Sequence, residues 1–237
     1  MILDLPSRAL PKGAGLNIYF PVAPLILLSV AIVSGQQTPV ATDEEPHHHV
    51  LFKNEFVIVI RATLQPGEST LYHTHSHDSA DVELVASTTT EQLFKKDEGP
   101  AETSLPGEVS ADSLKEPITH RVRNVGIGPM DIFHVEFLQR PAQPSARVAA
   151  PVAAENASAR VYNWVLAPGT TAPMHTHERP YLIVARTGVR LKMTAPDGRS
   201  LSEDVKPADF HWVEAKVTHA LSNQGVAEGQ IVEIELK

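Results

Sequence analysis

Apolar and polar residues alternate through most of the chain beyond residue 48. VIVIRATL at 57–64 and RVYNWVL at 160–166 are rich in β-branched and aromatic residues, and YLIVARTGVRLKMTA at 181–195, DIFHVEFL at 131–138 and QIVEIEL at 230–236 read the same way. Alternation of this kind puts successive side chains on opposite faces of a strand. Pro-Gly and Asp-Gly pairs punctuate the runs as turns. No stretch sustains the 3.6-residue apolar period of an amphipathic helix. Lys95 to Lys115 is polar, without a clear period, and reads as a loop. The pattern predicts an all-β chain, a sandwich or a barrel.

The pattern also repeats. Asn54 to His75, NEFVIVIRATLQPGESTLYHTH, aligns without a gap on Asn156 to His177, NASARVYNWVLAPGTTAPMHTH. Asn54/Asn156, Leu64/Leu166, the two Pro-Gly pairs and the two His-Thr-His triplets coincide at an offset of 102. Downstream, His120 and Asn124 in THRVRN match His219 and Asn223 in THALSN at an offset of 99. A repeat of this length means one structural unit built twice. The expected division is a first barrel over 48–140, a Pro/Ala-rich linker over 141–155 and a second barrel over 156–237.

The N-terminus breaks the alternation. Arg8 and Lys12 precede an uncharged run from Ile18 to Val33, and Ser34 and Gly35 follow it. A basic start, an apolar core and a small-residue exit describe a secretory signal peptide over residues 1–35, with 36–47 as a polar lead-in. The run falls short of the ~20 residues of a membrane span, and Pro21 and Pro24 interrupt it. The expectation is an exported protein, periplasmic or extracellular, with no stable membrane span after processing.

Composition narrows the chemistry. Lys and Arg number 20 against 28 Asp and Glu, with no basic run, which argues against nucleic acid as a partner. Cysteine is absent, so disulfides, thiolate metal sites and cysteine nucleophiles are excluded. Metal chemistry would fall to the 12 histidines and the carboxylates. In a strand, His-x-His places both imidazoles on one face. His73 and His75 can then chelate one ion, with His120 brought alongside from a later strand. His175, His177 and His219 repeat the arrangement. Three neutral imidazoles suit Fe(II), Zn, Cu, Ni or Mn and leave coordination positions open.

Gly67-x5-His73-Thr-His75 with His120-x3-Asn124, and Gly169-x5-His175-Thr-His177 with His219-x3-Asn223, resemble the paired motifs of the cupin superfamily. The resemblance covers nearly all of the chain beyond its N-terminus and is that of a bicupin. It implies two tandem jelly-roll barrels, each with a metal site inside. The family's usual glutamate, separated from the second histidine by three or four residues, is missing. Ser79 and Ala80 stand there in the first copy and Tyr181 in the second. The Pro-x-Gly before the last histidine is missing too. Oxalate-metabolising and quercetin-cleaving activities are therefore in doubt. All-histidine ligation, as in gentisate-type ring-cleaving and thiol-oxidising cupins, stays compatible.

Other polar residues have plainer readings. His77 and Asp78 suit a solvated turn, Asp81 and Glu83 exposed strand positions, and Asn124 and Asn223 turn backbone. His134 and His211 suit hydrogen-bonded barrel histidines. His47, His48 and His49 suit a solvated lead-in. The functional expectation is an Fe(II)-dependent dioxygenase of a small organic substrate, with Tyr181 as acid or hydrogen-bond donor. A non-catalytic metal or small-ligand binder, and a Zn or Mn isomerase or lyase, are the alternatives. A homo-oligomer is compatible with all of these. The second copy, which carries Tyr181 and both tryptophans, is the expected working site.

Overall fold

A computed structural model of the protein describes residues 38–139, 146–214 and 216–237. The expected signal peptide lies outside the described residues. The first barrel runs β1 (Val40–Ala41), a 3-10 turn (Thr42–Glu44), β2 (His48–Lys53), β3 (Val57–Leu64), β4 (His73–His75), β5 (Ser79–Glu83), β6 (Ser87–Leu93), β7 (Ala101–Ser104), β8 (Val109–Asp112), β9 (Ile118–Asn124) and β10 (Met130–Phe137). The second runs β11 (Val152–Glu155), β12 (Ala159–Leu166), β13 (His175–His177), β14 (Tyr181–Ala185), β15 (Val189–Thr194), β16 (Ser200–Val205), β17 (Phe210–Val213), β18 (Val217–Asn223) and β19 (Gly229–Leu236). Each barrel is two facing sheets. Their orders are β1-β4-β9-β6-β7 and β2-β3-β10-β5-β8 in the first, and β13-β18-β15-β16 and β11-β12-β19-β14-β17 in the second. The repeat predicts a unit built twice, and two small jelly rolls in tandem are what the cupin resemblance implies.

The two five-stranded sheets headed by β2 and β11 share one apolar core. Val57, Val59, Phe133 and Val135 of the first barrel cluster with Val161, Val184, Val232 and Ile234 of the second. That explains why VIVI is apolar without alternation: Val57, Ile58, Val59 and Ile60 are all buried, two toward the other barrel and two on the opposite face. Polar bonds lock the junction. Asn156 Nδ2 donates to the carbonyls of Ser79 and Asp112, both at 2.9 Å. Ser158 Oγ donates to Asp78 Oδ2 at 2.7 Å, and the Leu114 amide donates to Asp78 Oδ1 at 2.9 Å. Asp78 is thus buried in the junction, not solvated as its turn sequence suggested.

Three boundaries shift. The lead-in belongs to the first barrel: Val40 pairs in parallel with His73, and the buried Glu45 accepts the Leu71 amide. The end of the linker forms β11, which pairs with β12. Lys95 to Lys115 is not one loop but contains β7 and β8. Its period was hidden because Ser, Glu and Asp stand at inward positions where apolar residues usually mark a strand.

The turn before each His-x-His is built alike. Gly67 and Gly169 adopt φ of 85° and 75°, a conformation that side chains disfavour. Their amides donate to the carbonyls of Asn124 and Asn223, both at 2.9 Å. Asn124 Nδ2 donates to Leu64 O and Gly128 O, and Asn223 Nδ2 to Leu166 O and Ala227 O. The motif asparagines therefore fasten backbone, as expected.

The barrels differ in filling. Inside the second, thirteen buried apolar residues form one cluster, including Tyr162, Trp164, Tyr181, Leu191, Leu221 and Ile231. Inside the first, the buried cluster is Ala62, Leu64 and Met130, with Val122 and Ile132 against it. Interiors pack to crystal-like density when filled. A barrel with so little apolar filling must hold a cavity.

Candidate metal centres

In the first barrel, His73 and His75 project from one face of β4, and His73 pairs directly with His120 of β9. The Nε2 atoms of His75 and His120 each lie 3.1 Å from Nε2 of His73. Every Nδ1 faces an acceptor. His73 donates to Leu71 O at 3.0 Å, His75 to Glu136 Oε1 at 2.9 Å and His120 to Glu91 Oε1 at 2.5 Å. These bonds fix the proton on Nδ1 of each neutral ring. Three Nε2 lone pairs then point at one another, a repulsive arrangement that a cation between them relieves. Nitrogens held ~2.1 Å from one ion at right angles stand ~3.0 Å apart, so the spacing fits a first-row divalent metal.

The groups behind the triad are charged. Burial drives the His73 and His75 imidazoles below their usual range, favouring the neutral, metal-binding form. Burial pushes Glu136 up, but hydrogen bonds from His134 and His75 outweigh it and hold the carboxyl well below its usual range. His134 Nδ1 donates to Asp81 Oδ1 at 2.6 Å. Burial pushes His134 down, but the charge of Asp81 and its hydrogen bond raise it to about 10. The His134 ring stands edge-on to His75 with centroids 5.0 Å apart, and its Nε2 lies 3.8 Å from Glu136 Oε1. His48, on β2, packs edge-on against His73 at 4.6 Å. It is part of the site, not a solvated lead-in.

A cavity of about 1000 Å³ adjoins this triad. His48, His73, His75, His120 and His134 line it, with Ala62, Ser79, Asp81 and Glu83. Asp81 and Glu83 are thus cavity-facing, not exposed strand positions.

The second barrel brings His175, His177 and His219 together in the same register, with His175 paired to His219. Here Glu233 of β19 enters the cluster. Its Oε2 lies 3.2 Å from His175 Nε2 and 3.3 Å from His177 Nε2, and its Oε1 lies 3.1 Å from His219 Nε2. Three histidines and one carboxylate form a four-ligand set suited to a divalent metal. A carboxylate therefore does reach this triad, from the last strand instead of from the usual position. Burial pushes Glu233 up, but the three histidines outweigh it and hold it well below the carboxylate range. Burial lowers His177, but Glu233 and Glu235 raise it to about 9.

This cluster is sealed. His177 and Glu233 are fully buried, and His175 and His219 nearly so. Trp164 stacks on His175 at 5.0 Å and donates Nε1–H to Glu233 Oε2 at 2.6 Å. Tyr181 stacks on His177 at 3.8 Å; it is fully buried and its hydroxyl finds no partner. Burial, then Glu233 and Glu235, push that phenol above its usual range. The remaining expected histidine, His211, stands out from β17 beside Glu203 with its side chain 58% exposed, so it is not a barrel histidine.

Glu233 and Glu136 escaped the sequence reading, which gave His134 as a hydrogen-bonded barrel histidine without placing it beside the triad. The offset of 99 that matches Asn124 to Asn223 also matches His134 to Glu233 and Glu136 to Glu235, two residues apart and on one strand face. Carrying the repeat into the last strand would have found them.

No protein-family model matches the sequence, and no curated protein matches it. Solved structures do. The chain is similar to AerE from Microcystis aeruginosa at 12% identity and TM-score 0.58, covering 85% of this chain and 99% of that one. It is similar to a cupin 2 conserved barrel domain protein from Leptotrichia buccalis at 10% identity and TM-score 0.50, covering 80% and 88%. It is also similar to the oxalate decarboxylase of Bacillus subtilis, a protein with Mn(II) centres, at 13% identity and TM-score 0.51, covering 77% and 69%.

Proposed function

We propose that this chain, a two-domain cupin by fold, is an exported metal-dependent enzyme whose working site is the first barrel. The observation that carries this reading is a roomy cavity beside three converging imidazoles. It reverses the expectation that the second copy does the work. The reaction class we propose is dioxygenation of a small organic molecule with Fe(II). An iron held by His73, His75 and His120 would supply electrons to dioxygen and orient a substrate.

The chain's own residues do the rest. Leu71 O, Glu136 and Glu91 fix the tautomers and aim the three Nε2 atoms. The Asp81–His134 pair backs His75, with His134 Nε2 beside Glu136. His48 walls the site beside His73. The sealed second cluster holds its ligands among packed aromatics, which suits a structural metal. Residues 1–35 support export through their signal-peptide pattern. Mass spectrometry of native protein should find an N-terminus near Gln36; an intact N-terminus in the cytosol would contradict export.

Oxygen-electrode assays of the iron-loaded protein with candidate substrates test the reaction. His75→Ala should abolish uptake, and His177→Ala should leave most of the activity of the folded fraction. The opposite result returns the work to the second barrel. Iron-free protein with full activity would remove the dioxygenase reading.

A further inference from the structure

The interior of the first barrel is polar where a barrel is ordinarily apolar. Ser79, Asp81 and Glu83 line the cavity from β5, while Ala80 and Val82 of the same strand lie in the shared core. From the neighbouring strand, Glu108, Ser110 and Asp112 line it as well, and Glu91 and Glu102 face it from β6 and β7. Against these carboxylates, Lys96 is the one lysine or arginine among the described lining residues. Most of these carboxylates are exposed, and together they set up a negative field that favours ligands of the opposite sign.

The cavity wall also holds a buried oxygen without a partner. Glu83 Oε2 is sealed from water and accepts no hydrogen bond. Burial first, and then the charges of Asp81 and Glu108, raise that carboxyl to about 7. His134, only 8% exposed, lines the same cavity, its Nε2 3.8 Å from Glu136 Oε1. A buried polar atom without a partner carries a free-energy penalty that a complementary ligand removes. The corresponding positions of the second barrel are Ala185 for Glu83 and Glu233 for His134, so the Glu83 carboxyl has no counterpart there.

Resting on the reading of the first barrel as the working site, we propose that its substrate is a small organic cation. An ammonium or guanidinium group would lie between Glu83 and Glu108, and an oxygen-bearing end would reach His134 and the triad. Small dicarboxylates are disfavoured, because the lining carboxylates repel them.

Calorimetry on the zinc-loaded protein with three four-carbon probes decides this: 1,4-diaminobutane, 1,4-butanediol and succinate. The diamine should bind about tenfold or more tightly than the diol, weaken with added salt, and outcompete succinate entirely. Glu83→Gln and Glu108→Gln should each weaken the diamine several-fold and leave the diol unchanged. Gln keeps the shape of a neutral carboxyl at position 83, and position 108 is exposed, so at least one variant folds. Succinate binding as tightly as the diamine, or a diamine affinity unmoved in both variants, overturns the proposal. Zinc content is read in parallel. Selective diamine binding without zinc at the triad would support the cation site and remove the enzymatic reading; zinc held with succinate preferred would do the reverse.

Discussion

At matched positions the first barrel carries Ala62 and Ser79 where the second carries Trp164 and Tyr181. The strand register, the glycine turns, the asparagine locks and the three histidines are otherwise shared. Two large side chains, stacked directly on His175 and His177, separate a sealed cluster from an open one. The difference teaches that a common scaffold fixes where ligands converge, and the inward residues around them decide whether anything else can enter. The second barrel gains apolar burial from this filling, while the first keeps a cavity lined by carboxylates. Tension between stability and a usable site is common in proteins.

The largest expected effect tests the filling. Trp164→Ala should destabilise the protein by about 3–5 kcal/mol, as for other buried aromatics, whereas Ser79→Ala in the first barrel should cost under about 1 kcal/mol. Denaturant melts compare them, and equal losses would break the contrast. Where the barrels are alike the effects should match. Asn124→Ala and Asn223→Ala each orphan buried carbonyls and should each cost about 1–3 kcal/mol. A large difference between them would mean the two turns are not equivalent.

A smaller effect concerns ligand support. Glu136→Gln weakens the acceptor that orients His75 and should reduce metal affinity at the first site about 10–100-fold, leaving the second unchanged. Competition titrations with a chelating dye read both sites. The smallest effect is electrostatic. Glu83 is raised to about 7 in the fold, so the folded state binds a proton that the unfolded chain releases near its ordinary value. The contribution of Glu83 to stability should therefore fall as pH rises from ~4.5 to ~7, opposite in sign to the contribution of the buried neutral His73 and His75. Glu83→Gln should flatten this slope, and an unchanged slope would place the titration elsewhere. The second barrel, with Ala185 at that position, contributes no such slope.

The fold and the six histidines were legible because both rest on short periods. Alternation marks strands, and His-x-His puts two imidazoles on one face. The asparagines were legible as turn fasteners for the same local reason. Glu233 and Glu136 were not, because they reach the triads from the last strand through tertiary pairing with β14 and β5. β7 and β8 were missed for the reason that makes the first barrel interesting. Their inward positions hold Ser, Asp and Glu, so the polarity pattern of a strand is inverted and resembles a loop. Trp164 and Tyr181 were visible as aromatics near the second triad. Whether they dry a working pocket or close it depends on packing, which spacing alone does not fix.

Chelator extraction of the metal-loaded protein, followed in time, tests the central contrast most directly. An ion in the first barrel is reached through the cavity, and an ion in the second only when the packed interior opens. Release should therefore be biphasic, with a fast phase absent in His75→Ala and a slow phase absent in His177→Ala. A single phase, or a fast phase that disappears with His177→Ala, would contradict an open first barrel and a closed second one.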